Sequence, residues 1–224
     1  MLRLATSSDL PGITALWQEA FGDSPAAVSE FFRSFPNCIS YVAQEQGEIV
    51  SMVHALPQIL SPDTPAAYIY AVATGKNQRG KGLCRNLMAF AEADLKSLGF
   101  ACAMLTPGEP ELFDFYRALG YKAAFTRNRT NFPGGMPVSA ADYHTIREQL
   151  LTVPHVVYDV QTLEYAQRCY GLTFYRTETG CCAAADGYTA EVLPDDLGGR
   201  AFAMLKWLDK PQLLQNAYLG FALE

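Results

Sequence analysis

The stretch that decides the fold runs from Thr74 to Leu87 and reads TGKNQRGKGLCRNL. Glycines at positions 75, 80 and 82 allow tight or left-handed backbone conformations. The apolar run before it, AYIYAVAT at 67–74, predicts a buried strand, and the apolar spacing from Leu83 onward predicts a helix. A glycine loop between a strand and a helix N-terminus presents free backbone N–H groups and the positive end of the helix dipole. The sequence therefore predicts a site for a diphosphate that needs no metal ion.

Two better-known phosphate loops do not fit. Gly75, Gly80 and Lys81 match most of the triphosphate pattern G-x-x-x-x-G-K-[ST], but Gly82 occupies the place of the hydroxyl that binds magnesium. No later strand ends in an aspartate that could complete that metal site. The glycines also lack the G-x-G-x-x-G spacing of a dinucleotide site. Neither a nucleoside triphosphate with magnesium nor a dinucleotide is expected here.

The composition is that of an acidic, globular chain. It has 224 residues, 50% of them hydrophobic, and a formal net charge of −6. It has no apolar run of about 18 residues and no signal-peptide layout at its N-terminus, so we expect a cytoplasmic protein without a membrane partner. The acidic balance argues against a nucleic-acid partner. The cysteines show no C-x-x-C spacing, which predicts neither a zinc site nor a disulfide framework.

The glycine loop reverses this charge locally. Four basic residues and no acidic one fall within ten positions: Lys76, Arg79, Lys81 and Arg85. Such a cluster favours a polyanionic ligand, although a solvated charged loop would show the same residues.

Periodicity predicts two α/β segments. Up to residue 130 the order is strand, two helices, hairpin, strand, glycine loop, helix, strand, short helix and strand, which indicates a mixed sheet. The stretch NFPGGMPVS at 131–139 marks a junction, so we predict a first domain over 1–135 and a smaller α/β domain over 136–224. In the second domain we predict a helix over 197–208, LGGRAFAMLKWL, and a last strand over 216–223, NAYLGFAL. The similarity of DDLGGRAFAML to NQRGKGLCRNLM suggests a degenerate internal duplication.

These residues resemble the GNAT superfamily of acetyl-CoA-dependent N-acyltransferases. The glycine loop is similar to the family's R/Q-x-x-G-x-G/A sequence, with Arg79, Gly82 and Cys84 at its defining places. The segment ELFDFYRALGY at 111–121 looks like the one that carries the family's general-acid tyrosine, and the opening LRLATSSDLPGITALWQEAFGD fits its first strand and helix. The resemblance covers residues 1–131. It implies transfer of an acetyl group from acetyl-CoA to a primary amine, directly and without a metal.

In that family the two central strands splay apart, and the backbone of the fourth strand pairs with the pantetheine arm of acetyl-CoA. The resemblance assigns this part to four residues whose small side chains would also suit close core packing: Ala71, Val72, Ala73 and Thr74. It assigns the pyrophosphate to backbone amides of the loop, namely those of Arg79, Gly80, Lys81, Gly82, Leu83 and Cys84. Cys84 stands where Gly or Ala is usual, but only its amide would be used.

The resemblance also implies two catalytic groups. Val72 would donate its amide to the developing oxyanion, and Tyr116 would act as the general acid. A phenol, with an ordinary pKa of about 10, can protonate a departing thiolate. Tyr116 also fits an apolar helical stripe, and Tyr121 is an alternative acid. Many relatives carry a glutamate base on the fourth strand where this chain has Ala66 and Tyr68, so no base is assigned.

Three further residues are candidates for contacting the acceptor: His54, Tyr70 and Glu224. His54 lies in an apolar strand, where a histidine satisfied within the core is the ordinary alternative. The second domain resembles the second unit of acetyltransferases of the enhanced intracellular survival type, which walls the acceptor pocket. We therefore expect a small-molecule or peptide amine as acceptor and leave a homo-oligomer open. A catalytically silent acyl-CoA sensor or structural module is the alternative function.

Overall fold

A computed structural model of the chain describes residues 1–212, 214 and 217–221. The chain folds as two compact units that interleave along the sequence. Unit 1 consists of Met1–Pro57, Pro65–Leu105 and Trp207–Pro211, and unit 2 of Gln58–Thr64, Thr106–Lys206 and Gln212–Glu224. The domain division at 135/136, drawn from composition, stays a prediction.

Unit 1, all of whose residues are described, is built on a mixed sheet. Its elements are β1 (Leu2–Leu4), a 3-10 turn (Ser7–Asp9), α1 (Leu10–Phe21), α2 (Pro25–Ser34), β2 (Ile39–Glu45), β3 (Glu48–Leu60), β4 (Thr64–Thr74), α3 (Leu83–Ser97) and β5 (Cys102–Leu105). The strand order is β1-β2-β3-β4-β5. β2 pairs antiparallel with both β1 and β3, whereas β4 and β5 run parallel. The predicted mixed α/β sheet is confirmed.

The two elements that frame the glycine loop are anchored in the core of unit 1. β4 is apolar along most of its length and buried through its middle, as expected for a central strand. α3 places Leu87, Ala91 and Leu95 on one side, all without exposed surface. Gly99 follows the helix with φ +91°, a left-handed conformation that glycine adopts without strain.

Four strands of unit 2 form a second, smaller sheet, and two others pair with each other outside it. The elements are α4 (Leu112–Arg117), β6 (Lys122–Arg127), β7 (Met136–Val138), α5 (Ala140–Leu150), β8 (Val156–Val157), α6 (Val160–Tyr170), β9 (Thr173–Arg176), β10 (Cys181–Ala185), β11 (Tyr188–Leu193) and β12 (Arg200–Trp207), whose final residue is assigned to unit 1. The smaller sheet is antiparallel, in the order β11-β10-β9-β7. β6 pairs antiparallel with β12, and β8 pairs with the end of β3. The smaller sheet fits the predicted C-terminal α/β unit.

A buried ion pair lies in the core of unit 2. Arg147 and Glu191 have no exposed surface, and Arg147 Nε donates to Glu191 Oε2 at 3.2 Å. Tyr143 donates its hydroxyl to the same carboxylate, and burial raises the pKa of that phenol. Arg147 Nη1 also donates to Val156 O at 2.9 Å. Both charges are therefore paired and hydrogen-bonded, which is the condition under which buried charges are tolerated.

The predicted helix over 197–208 is wrong. Its residues Arg200–Trp207 form β12, in a register with β6 that places Arg200 opposite Arg127 and Leu205 opposite Lys122. Alanine, leucine and methionine are good helix formers, but helix propensities differ by less than about 1 kcal/mol per residue, and hydrogen bonding to a neighbouring strand overrides that local preference. This segment therefore does not repeat the loop and helix of unit 1.

The last predicted strand is described only in part. Ala217 and Tyr218 form single bridges to Phe125 and His155, and positions 216, 222 and 223 lie outside the described residues. No helix in the described ranges has the length and apolar content to cross a membrane. All six cysteines are free thiols.

Candidate active site

The edge of β4 that faces β5 opens before β4 ends. The parallel pairing of these strands stops at Tyr68 opposite Met104, although β4 continues to Thr74. β5 ends at Leu105, so β4 extends beyond the paired region, which is consistent with the predicted separation of the central strands. Residues 69–74 have no partner in β5, so their backbone groups on that edge can pair with a ligand that carries amide groups.

A backbone irregularity lies within this unpaired stretch. Ala71 has φ +46°, in the left-handed region, which costs a residue with a side chain about 1–2 kcal/mol. A left-handed residue inside a strand redirects the backbone groups beside it, and such outliers cluster at functional positions. The irregularity falls within the predicted pantetheine-binding residues, which the structure places together at the end of β4: Ala71, Val72 and Thr74 half-buried and Ala73 buried.

Ser51 holds the end of β4 from the β3 side. Ser51 has no exposed surface, and its Oγ donates to Ala73 O at 2.8 Å and lies 2.8 Å from Thr74 Oγ1. Gly75 N–H donates to Val50 O at 3.0 Å. These bonds fix the entry into the glycine loop on β3, so the unpaired edge of β4 has a rigid support.

The loop adopts the conformations that its glycines permit. After a 3-10 turn at Lys76–Gln78, Gly80 and Gly82 both have φ +77°, and Gly82 caps α3. The first hydrogen bond of the helix runs from Asn86 N–H to Gly82 O at 3.0 Å. The three amides before Asn86 therefore lack a helical acceptor. This is the backbone geometry of an anion site at a helix N-terminus.

Arg79 and Lys81 add positive charge to this loop. Arg79 Nε donates to Thr74 O at 3.1 Å, which holds the guanidinium beside the end of β4. Lys81 Nζ donates to Gln78 Oε1. Within the described ranges, no carboxylate lies within 4.0 Å of either cation. Both charges are therefore available to an anionic ligand.

Cys84 contributes backbone and not thiolate chemistry. Burial raises the pKa of its thiol to about 11, against a smaller opposing effect of Arg85. The thiol is therefore protonated near neutral pH and is a poor nucleophile.

His54 and Tyr70, both predicted to contact the acceptor, meet in an aromatic cluster of unit 1. The His54 ring centroid lies 5.1 Å from Trp17, and Tyr70 stacks on Phe31 at 5.1 Å and 15°. Tyr70 is half-buried, but His54 has no exposed surface. Ser40 Oγ lies 2.8 Å from His54 Nδ1, and Nε2 has no hydrogen-bond partner among the described residues. His54 is therefore enclosed as a core histidine would be.

The burial of His54 predicts a pH-dependent stability. Burial lowers its pKa to about 3, below the value of about 6.5 expected in the unfolded chain. Between these values only the unfolded state binds the proton, so acid lowers the free energy of unfolding, by up to about 1.4 kcal/mol per pH unit. The contribution is complete above pH 6.5 or so and is lost as the pH falls toward 3. Denaturant titrations at pH 6.5, 5.5 and 4.5 measure this slope.

The matched variant is His54→Gln, which can still bond Ser40 but does not titrate. Its free energy of unfolding should depend less steeply on pH than that of the wild type over the same three points. Equal slopes would mean that His54 is protonated in the folded chain.

The predicted acids lie in unit 2, whereas the loop and the end of β4 lie in unit 1. Tyr116, on α4, is 7% exposed, and its ring meets the Tyr121 ring edge-on at 5.8 Å. Tyr121 is 1% exposed, with Lys206 Nζ 5.8 Å from its ring centroid. The third acceptor candidate, Glu224, lies outside the described residues.

Sequence patterns do not reveal several parts of this site. Ser51 looks like any polar residue of a strand, and Trp17 like a core residue of α1. Ser51 bonds to Ala73 O, and the Trp17 ring lies 5.9 Å from that of Tyr70, so both contacts with β4 depend on packing between elements that are distant in the chain. Ala71 carries no signal at all, because alanine is not a residue that favours a left-handed conformation. Among the described residues, no group of three His, Cys, Asp or Glu side chains could hold a metal ion.

Comparison with known proteins agrees with this geometry. Residues 1–124, more than half of the chain, match the family described as acetyltransferase (GNAT) domain. No curated protein matches the chain.

Solved structures share the fold over most of the chain. A GCN5-related N-acetyltransferase from Kribbella flavida matches 93% of this chain and 72% of its own, at TM-score 0.68 and 18% identity. A probable N-acyltransferase from Enterococcus faecalis matches 84% and 56%, at TM-score 0.65 and 22% identity. Eis1 from Mycobacterium abscessus matches 82% and 53%, at TM-score 0.65 and 15% identity. At these identities the likeness is one of fold, and the chain spans just over half the length of the latter two.

Proposed function

The chain belongs to the acetyltransferase (GNAT) domain family, and on that premise we propose that it moves an acetyl group from acetyl-CoA to a primary amine by direct attack in a ternary complex. The observation that carries the proposal is the combination, within unit 1, of an unpaired β4 edge with a basic glycine loop at the N-terminus of α3. The proposed acceptor is a small-molecule or peptide amine in the cytoplasm, and the proposal gives no part to a metal, a membrane or nucleic acid.

In this proposal the cosubstrate is held by backbone groups. Acetyl-CoA supplies the thioester carbonyl that the amine attacks. The backbone of residues 71–74 pairs with the amides of its pantetheine arm, because that edge has no partner in β5. The amides of residues 79–84 bind the pyrophosphate, with Arg79 and Lys81 adding charge-assisted contacts. Cys84 takes part through its amide alone.

The proposed reaction forms one nitrogen–carbon bond and breaks one carbon–sulfur bond. Val72 N–H donates to the carbonyl oxygen as negative charge develops on it. Tyr116 gives its proton to the departing thiolate. The amine loses a proton to a base. β4 supplies no carboxylate for this step, because Ala66 and Tyr68 occupy the buried positions where many relatives carry a glutamate.

Coenzyme A should stabilise the fold. A ligand at a hundredfold excess over its dissociation constant adds about 2.7 kcal/mol to the free energy of unfolding if it binds the folded state alone. Thermal unfolding with and without millimolar coenzyme A measures this, and ATP with magnesium is the control, which should cause no shift. An unchanged melting temperature with coenzyme A would refute the assignment of the loop.

Thiol release separates an enzyme from a silent acyl-CoA sensor. Acetyl-CoA is incubated with the protein and a panel of primary amines, and free thiol is followed over time. We expect amine-dependent release with at least one member. Stabilisation by coenzyme A without release from any amine would favour the sensor, for which the absence of a carboxylate at Ala66 and Tyr68 is the supporting observation.

A further inference from the structure

Unit 2 contains a cavity that shares no lining residue with the proposed coenzyme site. Its volume is about 800 Å³, and it is formed by the segment after β5, the start of α4, and the ends of β6 and β12 that lie together. Its charged and aromatic lining consists of Phe113, Arg127, Arg129, Tyr188, Arg200 and Phe202. All of these residues belong to unit 2.

The lining is basic in a chain whose net charge is −6. The described residues that line it include three arginines and no acidic side chain. The β6–β12 register places Arg127 opposite Arg200, and residues directly opposite each other in antiparallel strands project from the same face. Like charges in that arrangement repel and destabilise the pair unless an anion or another group compensates them.

Arg127 has compensating partners. Its Nη1 donates to Ala190 O at 3.0 Å and to Gly220 O at 3.1 Å, and its guanidinium carbon lies 4.7 Å from the centroid of the Phe202 ring. Buried Asp196 lies within its electrostatic range. Arg127 is therefore fixed in place by groups of the protein, and its carbonyl contacts are those of a structural residue.

Among the described residues, neither Arg129 nor Arg200 has such partners. Both are exposed, and neither lies within 4.0 Å of a carboxylate of the described residues. An isolated exposed arginine is ordinary, but these two share one cavity with a third that is fixed. The pair is therefore open to an anion that bridges the ends of β6 and β12.

The side chains that line the cavity indicate the chemical class of its ligand. A guanidinium group presents its donors in a planar fork that matches the two oxygens of a carboxylate or a phosphate. Phe113, Tyr188 and Phe202 offer ring faces and edges to an apolar or flat portion. Tyr188 is 48% exposed and Phe113 is half-buried, so these rings remain accessible. The ligand that fits carries an oxyanion next to an apolar group.

α4 relates this cavity to the proposed chemistry. Phe113 lies on that helix three residues before Tyr116, and residues at this spacing lie on neighbouring parts of one helix face. The cavity therefore borders the helix that carries the proposed acid.

We propose that this cavity binds the carboxylate or phosphate group of the acceptor, which would then be an anionic primary amine and not a polycation. That the bound anion belongs to an acceptor amine rests on the proposed acetyl transfer. The oxyanion site itself rests on the arginines alone.

The kinetic test uses amines that differ only in the anionic group. Phenylalanine is compared with its amide, and O-phosphoethanolamine with ethanolamine, by thiol release from acetyl-CoA. For each pair, kcat/KM of the anionic amine is divided by that of the neutral one. The pair with the larger ratio identifies carboxylate or phosphate as the preferred group. We expect the anionic member to have a kcat/KM about tenfold higher or more, as one charge-assisted contact would provide. Arg129→Gln and Arg200→Gln should raise its KM with little change in kcat, while Arg176→Gln, an exposed arginine of β9 outside the cavity, should change neither.

A binding measurement distinguishes the site from the reaction. Calorimetric titration with benzoate and with phenyl phosphate, without acetyl-CoA, should show binding to the wild type and to Arg176→Gln, and loss of it in the other two variants. This result without acetylation of any amine supports the oxyanion site and refutes the proposed transfer. Equal kcat/KM for anionic and neutral amines, unchanged in both variants, or no binding of either probe, overturns the site.

Discussion

Tyr116→Phe is expected to lower kcat by about 10²- to 10⁴-fold, the usual contribution of a general acid, with a smaller effect on KM. The change removes one hydroxyl and no carbon atom. The ring of Tyr116 packs edge-on against Phe115 at 5.1 Å and Tyr121 at 5.8 Å, and phenylalanine preserves these contacts. Folding and acetyl-CoA affinity should therefore survive while turnover does not. Free thiol is followed with the best amine of the panel.

Tyr121→Phe is the matched control for this experiment. Tyr121 is buried, lies in the same aromatic pair and would lose the same single atom. If it only packs, its kcat should stay within a few fold of the wild type. A near-normal kcat for Tyr116→Phe with chemistry rate-limiting, or a larger loss at Tyr121, would move the acid to another group.

Sequence patterns predicted those parts of unit 1 that are formed by residues close together in the chain. Gly80 and Gly82 occupy left-handed conformations that glycine tolerates, and the helix after them follows from its apolar spacing. The loop, strand and helix are consecutive in the chain, so no long-range contact is needed to recognise them. This explains why the glycine loop could be identified from fourteen consecutive residues, Thr74 to Leu87.

Long-range pairing accounts for what the sequence did not reveal. β12 was predicted as a helix because its pairing with β6 joins strands with residues 128–199 between them. The same pairing brings Arg200 to Arg127, so the basic cavity of unit 2 cannot be inferred from either segment alone. The support that Ser51 gives to the end of β4 likewise spans 22 positions.

Charge reversal at Arg79 should weaken acetyl-CoA binding by about a hundredfold, since a charge-assisted hydrogen bond of about 1.5–3 kcal/mol is lost and a carboxylate then faces the diphosphate. Arg79 is held at the loop by its bond to Thr74 O at 3.1 Å. Arg85 carries the same charge in the first turn of α3 and is exposed, as Arg79 is, but no hydrogen bond of the described residues holds it against the loop. Calorimetric titration of Arg79→Glu and Arg85→Glu with acetyl-CoA compares them, and the loss at Arg85 should be several-fold smaller. Equal losses would indicate that the ligand responds to a diffuse basic patch, and the ordered loop would then not be its binding site.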